Sequence, residues 1–319
     1  MALSSESISR VDAPRRPARA RRSRPRPMRG SNRDRMVRLA IHVALALVAI
    51  AFFMPMLLVV SSSLSSESSI TKNGYTFFPA HFSTLAYQYV LGSSGQLFLS
   101  YGVSIVVTTV GTVVSLATMA MLAYSLAQPD YKLRKPLSFY VLFTMLFNGG
   151  LVPSYILITQ YLHIQDTILV LILPYLVTPW YVLLLRTYFT QLPRDILDAA
   201  RVDGAGEWRI FMRIAIPLSR PALATVGLFV LLTYWNDWWL GLLYIQSNNL
   251  VPVQLFLYRI LSNIDFLSAS PQMVSQLGGV PIQTVQMATA VLAIGPIVIA
   301  FFAVQRYLVR GITVGGIKD

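Results

Sequence analysis

Six long apolar runs separated by polar stretches organise the chain: Leu39–Val60, Leu97–Ala127, Leu137–Tyr161, Thr167–Phe189, Pro221–Ile245 and Met287–Leu308. About 20 residues of α-helix cross a hydrocarbon core, so each run is long enough to span one. The pattern predicts an all-α polytopic membrane protein with six transmembrane helices. Pro174 and Pro179 break the fourth run, Asn148-Gly149-Gly150 interrupts the third, and Gly295-Pro296 lies inside the sixth. The Gly, Pro, Ser and Thr scattered through these runs predict helices packed on protein and not on lipid alone.

The polar connections orient the spans. The 128–136 loop, the 187–219 loop and the C-terminus carry Lys132, Arg134, Lys135, Arg194, Arg201, Arg209, Arg213, Arg306, Arg310 and Lys318. Connections 61–96, 162–166 and 246–286 carry only Lys72 and Arg259. Cytoplasmic loops are enriched in Lys and Arg, so both termini are expected in the cytoplasm. The small residues Ser61-Ser62-Ser63 would suit cleavage of a signal peptide. The first run has 22 residues, however, longer than the 7–15 of a signal peptide's apolar region, and a retained anchor is expected.

Composition narrows the function classes. The 319-residue chain is 55% hydrophobic and 12% charged, and charged residues make up about 25% of a typical soluble domain. Without cysteine there is no disulfide framework, no Cys-ligated zinc and no cysteine nucleophile. His42, His81 and His163 lie too far apart to read as a metal site, so none is expected. The net charge of +13 is mostly a property of the N-terminus, where residues 1–38 hold twelve arginines against Glu6, Asp12 and Asp34. Such a run can neutralise phosphates, but the tail has no aromatic residue to stack on bases. Residues 1–36 are therefore expected to be a disordered, basic cytoplasmic tail beside anionic membrane lipid, with no nucleic-acid partner. Residues 37–319 form the transmembrane domain.

One cytoplasmic loop differs from the rest. In residues 193–217, Pro193 and Asp195 suit a helix start, and Arg194 and Asp198 stand at i,i+4, where they can pair. Ile196, Ala199, Ala200 and Val202-Asp203 recur at helical spacing, and Gly204 suits the residue just past a helix end. A second short helix from about Gly206 to Ile214 presents Ile210, Phe211 and Ile214, and Pro217 and Pro221 mark re-entry into the membrane. This amphipathic helix-turn-helix is shaped to fit a partner's groove, although a loop lying on the lipid surface has the same amphipathic character.

At these residues the chain resembles a known family. Asp198-Ala199-Ala200, three residues, Gly204, nine residues and Ile214-Ala215-Ile216-Pro217 match the coupling signature of bacterial ABC importer permeases, Glu-Ala-Ala-x3-Gly-x9-Ile-x-Leu-Pro. Asp for Glu at 198 and Ile for Leu at 216 are the departures. The Asp198 side chain is one methylene shorter, which implies a weaker salt bridge to the partner. Residues 148–155 (Asn-Gly-Gly-Leu-Val-Pro-Ser-Tyr), Trp-Asn-Asp-Trp at 235–238 and the ending at 310–319 resemble the carbohydrate-uptake branch, with its oligosaccharide and uronate-sugar subgroup. The resemblance covers residues 37 to the end.

The resemblance implies the type I ABC importer permease fold in the bacterial cytoplasmic membrane. It also implies a second permease subunit, two ATPase subunits, an extracytoplasmic solute-binding protein and a sugar substrate. Residues Asp198, Ala199, Ala200, Gly204, Ile210, Phe211, Ile214 and Pro217 are then the ATPase-coupling residues. Asp198 would pair with a basic residue of the ATPase, while Ile210, Phe211 and Ile214 would fill its apolar pocket. Segment 312–319 is a second expected contact with the ATPase. ATP and Mg would be bound by that partner, and this chain itself would hold no cofactor.

Candidates for the substrate pathway are Asn148, Tyr155, Asn236 and Asp237. Asp237 lies towards the outer end of the fifth run, with Tyr234, Trp235, Trp238 and Trp239 around it. These residues fit an interfacial aromatic belt or a structural role, a sugar-contacting wall, or a carboxylate relay. The chain has no phosphate-binding Gly-x-x-x-x-Gly-Lys-Ser/Thr loop, no Gly-x-Ser-x-Gly elbow and no His-Glu-x-x-His helix, so no enzyme activity is expected of it. A secondary transporter would carry repeated halves with mid-membrane ionisable sites, and neither feature is visible. A membrane scaffold that recruits a cytoplasmic protein would use the same loop.

Overall fold

The computed structural model describes residues 32–92, 94–268 and 281–314. Most of the arginine-rich tail, part of the 246–286 connection and residues 315–319 lie outside these. The chain divides into two compact units, Met1–Phe53 and Met54–Asp319, with the boundary inside helix α1 (Asn32–Ser63). That helix begins before residue 37, so residues 32–36 of the expected tail are helical. No Gly or Pro lies between Asn32 and Leu39, and Arg and Met there are good helix formers.

Among the described residues all helices and turns lack strand partners, apart from an isolated bridge between Ser65 and Phe82. Among the described residues, three helices are long and apolar enough to cross a membrane: Met36–Ser63, Gly95–Ala127 and Ile282–Ile299. Three bent pairs raise the number to as many as six if each pair is one span.

Each bend has a local cause. Helices α5 (Arg134–Leu146) and α6 (Leu151–Ile156, continued by a π-turn to Tyr161) meet at 113°. Between them Gly150 has φ +88°, and the Asn148 side chain accepts the Gly150 N–H at 2.8 Å. A left-handed glycine stops a helix that could otherwise continue. Helix α7 (Ile168–Ile172) with its 3₁₀ turn to Tyr175 meets α8 (Pro179–Thr190) at 51°, where Pro179 cannot supply the helical N–H.

The second unit is built around α4 (Ser94–Ala127). Helices α8 and α12 (Arg220–Trp235) pack on it, and α12 also packs on the last helix, named α15 (Ile282–Val314). At the α4–α12 crossing, a Cβ on Gly111 would stand 2.7 Å from the Tyr234 ring, so only glycine admits that ring. The Tyr234 hydroxyl lies 2.7 Å from Ser115 Oγ and donates to the Ile172 carbonyl at 2.9 Å, joining three segments in the core. A second apolar cluster joins α3 (Leu85–Leu91), α14 (Val253–Ser268) and α15 around Val90, Leu97, Trp235 and Leu257.

Two carboxylates fasten connections to this body. Glu67, at the start of α2 (Glu67–Asn73), accepts the Gln283 and Thr284 N–H groups at 2.9 and 3.0 Å and the Thr284 hydroxyl at 2.9 Å. It thereby caps α15, whose first-turn amides have no partner within the helix. Asp166 Oδ1 accepts the Gln246 and Ser247 N–H groups at 3.0 Å and the Ser247 hydroxyl at 2.9 Å. These bonds, with that of the Ser247 N–H first, hold the Asp166 carboxyl below the usual carboxylate range.

Candidate functional site

The 193–217 segment folds as two short helices across a tight turn. Helix α9 (Arg194–Val202) starts after Pro193, carries Asp195 in its first turn and buries Leu197. It ends at a left-handed Gly204, φ +79°, with the Gly204 N–H bonded to the Arg201 carbonyl and the Ala205 N–H to the Ala200 carbonyl, both at 3.0 Å. These paired bonds satisfy helix-end carbonyls and need a residue free to adopt positive φ. Helix α10 (Glu207–Ile210) follows and widens into a π-turn over Phe211–Ala215, which leads into α11 (Ile216–Leu218). Pro217 has no N–H for the Arg213 carbonyl, and its ring would crowd that oxygen in a regular α-turn. The chain then bends by 82° into α12.

A charged network braces the turn. Arg201 donates from Nε to Glu207 Oε1 at 2.8 Å, from Nη1 to Asp198 Oδ1 at 2.7 Å and from Nη2 to Gln128 Oε1 at 2.8 Å. The Tyr124 hydroxyl donates to the other oxygen of Glu207 at 3.2 Å. Thus one guanidinium ties both halves of the segment to each other and to the end of α4. Glu207 is the first cause pushing the Arg201 guanidinium further above its ordinary value, so it stays charged. Beneath the network lies a cleft of ≈ 530 Å³, lined by Tyr124, Ser125, Gln128, Asp130, Tyr131, Arg201 and Glu207.

Two sequence expectations are corrected here. Asp198 pairs with Arg201, one turn on, and not with Arg194, because Arg201 is also drawn in by Glu207 and Gln128. Ile210 and Phe211 do not face outward: they are 0% and 5% exposed within the chain's own core. Phe211 lies 5.0 Å from the Tyr124 ring, which itself packs edge-on against Phe189 of α8. Ala200 and Ile214 also pack on that core. The exposed apolar side chains are Ile196, Val202 (87%), Trp208 (64%) and Met212, alongside exposed Asp198, Ala199 and Gly204. Pro217 is half-buried.

Among the described residues no hydrogen bond or ring contact joins any two of the four substrate-pathway candidates. Tyr155 stacks on Tyr244 of α13 (Trp239–Tyr244), with ring centres 5.6 Å apart. The exposed Asn236 donates to the Leu232 carbonyl at 2.9 Å. Asp237 accepts the Tyr175 hydroxyl at 2.9 Å and the Leu240 N–H at 3.3 Å, so both carboxylate oxygens bond within the chain at the start of α13. An aromatic belt or sugar wall of four rings is not what forms. Tyr234 and Trp235 are buried, with Trp235 Nε1 donating to the Ala293 carbonyl at 3.3 Å, and Trp238 stacks on Tyr258 at 4.5 Å.

Gln128 and Tyr124 are not legible as site residues in the sequence, because they lie 73 and 83 residues from their partners Arg201 and Glu207; Glu207 is only six residues past Arg201, and the turn at Gly204 brings the two together. Arg186 carried a signal of its own, as a lone charge in an apolar run. Among the described residues no group of His, Cys, Asp and Glu could hold a metal ion.

The segment lies inside a longer match to known proteins. Residues 120–314 match the family described as "Binding-protein-dependent transport system inner membrane component". The polygalacturonan/rhamnogalacturonan transport system permease protein of Bacillus subtilis is 30% identical over 90% of this chain and 99% of its own length. Protein LplC of Bacillus subtilis is 36% identical over 83% of this chain and 89% of its own. A crystal structure of a bacterial ABC transporter involved in the import of the acidic polysaccharide alginate contains a chain of similar fold. It superposes with a TM-score of 0.73 at 28% identity, covering 87% of this chain and 98% of that one. With its helical spans, its braced 193–217 segment and this match, the chain belongs to the inner-membrane component family of binding-protein-dependent transport systems and is a permease subunit.

Proposed function

We propose that this subunit forms half of the pathway of an ATP-driven importer of oligosaccharides, with uronate-containing sugars the first class to test. The named substrates of two similar proteins, polygalacturonan/rhamnogalacturonan and alginate, support that class. In this reading each bent pair is one span, six spans place both termini in the cytoplasm, and residues 193–217 are a cytoplasmic coupling loop. A second permease, two ATPase subunits holding ATP and Mg, and a solute-binding protein at the opposite face complete the importer.

The observation that carries the coupling role is the two-sided character of the segment. Phe211 and Ile210 anchor it inside the α4–α8 core, while Ile196, Val202, Trp208 and Met212 leave an apolar outer face beside the exposed Asp198. An amphipathic helix that presents spaced apolar anchors suits a hydrophobic groove. Fixed inside and free outside, the segment works as a lever: motion of an ATPase bound to the outer face reaches α4 and α8 through Phe211 and Arg201.

The test is detergent pull-down of the full chain from its native membrane, with mass spectrometry of what co-purifies. A P-loop ATPase and a second permease are expected with the wild type, and the ATPase is expected to be lost from Trp208→Asp. Recovery of the chain alone, with uptake driven by an ion gradient in vesicles, would overturn the reading.

A further inference from the structure

Arg186 is the single charged residue of the fourth apolar run, two residues after Leu184 and next to the fully buried Leu185. A cation in such a run needs a counter-charge or a polar cavity. It lines a cleft of ≈ 720 Å³ together with Lys132, Arg134 and Lys135 from the chain before and at the start of α5. Asp130 is the single carboxylate in the lining, and the Ser138 hydroxyl there donates to the Arg134 carbonyl. Among the described residues none of these four cations forms an ion pair, since the salt bridges present both belong to Arg201.

The start of α5 adds to the positive field. It has no side-chain cap and no acidic residue in its first turn; the Arg134 N–H is held by the Tyr131 carbonyl and Pro136 has none, so the Lys135 N–H is the leading amide left to carry the positive end of the helix dipole. Beyond the cleft, α5 exposes a strongly apolar surface through Phe139, Tyr140 and Phe143. A ligand that fits both features has a phosphate head for the cations and hydrocarbon chains for the helix face.

We infer that this cleft binds the phosphate headgroup of one anionic phospholipid, with its acyl chains lying along α5. The inference rests on the six-span reading, which puts the cleft at the cytoplasmic surface, where anionic lipid meets basic loops. Four cations from two separate segments discriminate a phosphate-bearing anion from a zwitterionic headgroup, whose own ammonium they would repel. Arg186 would be neutralised from outside the protein, which explains a charge that has no internal partner.

Native mass spectrometry of the purified full chain tests this, with phosphatidylglycerol, phosphatidylcholine of the same acyl chains and inorganic phosphate as probes. One phosphatidylglycerol is expected to remain per chain, bound at least tenfold more tightly than phosphatidylcholine. Each cation removed should weaken retention by about fivefold, on the usual worth of a basic residue near an anionic surface. Arg186→Gln should therefore show that loss, Arg186→Lys should retain the lipid, and Arg209→Gln, outside the cleft, should bind as wild type. Equal retention of both lipids, or wild-type retention after Lys132→Gln, Arg134→Gln and Lys135→Gln together, would overturn the inference. So would an equal loss with Arg209→Gln. Displacement by millimolar inorganic phosphate would identify free phosphate as the ligand and overturn the lipid assignment. If the triple variant lost the ATPase in pull-down while keeping its lipid, the patch would be a protein contact instead. No ATPase is present in the lipid assay, so failure of the importer reading and failure of this site are separately visible.

Discussion

Arg201 Nε lies 2.8 Å from Glu207 Oε1 across the turn formed at Gly204, and the same guanidinium reaches Asp198 and Gln128. The pair locks α9 to α10 and both to the end of α4. Because both side chains are partly exposed, the bridge adds little to stability; such surface pairs are worth about 0–1 kcal/mol. Its value is geometric. Arg201→Ala should insert and fold with less than about 1 kcal/mol lost, yet transport fewer sugar molecules per ATP in proteoliposomes. Arg201→Lys should restore this only in part, because one ammonium cannot match a fork facing three acceptors. Unchanged coupling in the alanine variant would remove the brace from the mechanism.

The two faces of the segment make opposite predictions for the same substitution. Trp208→Asp replaces an exposed side chain and should leave insertion and thermal stability close to wild type while abolishing ATPase capture. Phe211→Asp buries a carboxylate beside the Tyr124 ring and should cost about 3–5 kcal/mol, seen as lost expression or a collapsed melting temperature. If Phe211→Asp folds normally and fails only in capture, the inward placement is wrong.

Gly111 and Tyr234 should behave as one unit. Gly111→Ala pushes a methyl group to 2.7 Å from the Tyr234 ring and should destabilise by about 1–3 kcal/mol. Tyr234→Phe leaves Ser115 and the Ile172 carbonyl short of a partner, at about 1–3 kcal/mol. Gly111→Ala combined with Tyr234→Ala should be less destabilised than the sum of its single variants in detergent melts, since the clash is gone. Strict additivity would mean the two do not touch.

Asp166 carries a pH dependence of defined sign. Its folded carboxyl titrates below the ordinary range, so its contribution is full at neutral pH and above the unfolded value. That contribution is lost as pH falls through the lowered folded value. Asp166→Asn, which tolerates the same φ of +56°, should remove this part of the acid sensitivity. Melting temperatures of the two proteins across an acid series should converge at low pH; parallel curves would contradict the assignment.

The apolar helices and the glycine turn were legible in the sequence for local reasons. Apolar runs near 20 residues report a hydrocarbon environment whatever their neighbours, and Gly204 marks a helix end because few other residues take positive φ without strain. The breaks at Asn148–Gly150 and at Pro179 were readable in the same way, although the 113° of the first was not. Partners were not legible. The apolar stripe of an amphipathic segment looks the same whether it faces another protein or its own core, so Ile210 and Phe211 were expected outside. Trp235 likewise has the sequence context of an interfacial ring, and only the packing of α15 covers it.

The amino-acid sequence alone determined what each segment is: its helical spans, its glycine turn, its basic connections and its family signature. Only the tertiary structure decided which side chains those segments give to one another. Tyr124, Gln128, Arg201 and Glu207 meet because α4 and the 193–217 segment pack together. Arg186 and Lys132 share a cleft because α8 and the start of α5 lie side by side. Local propensity is encoded within a few residues of chain, whereas contacts between distant residues depend on how whole helices pack, and no short stretch of sequence records that.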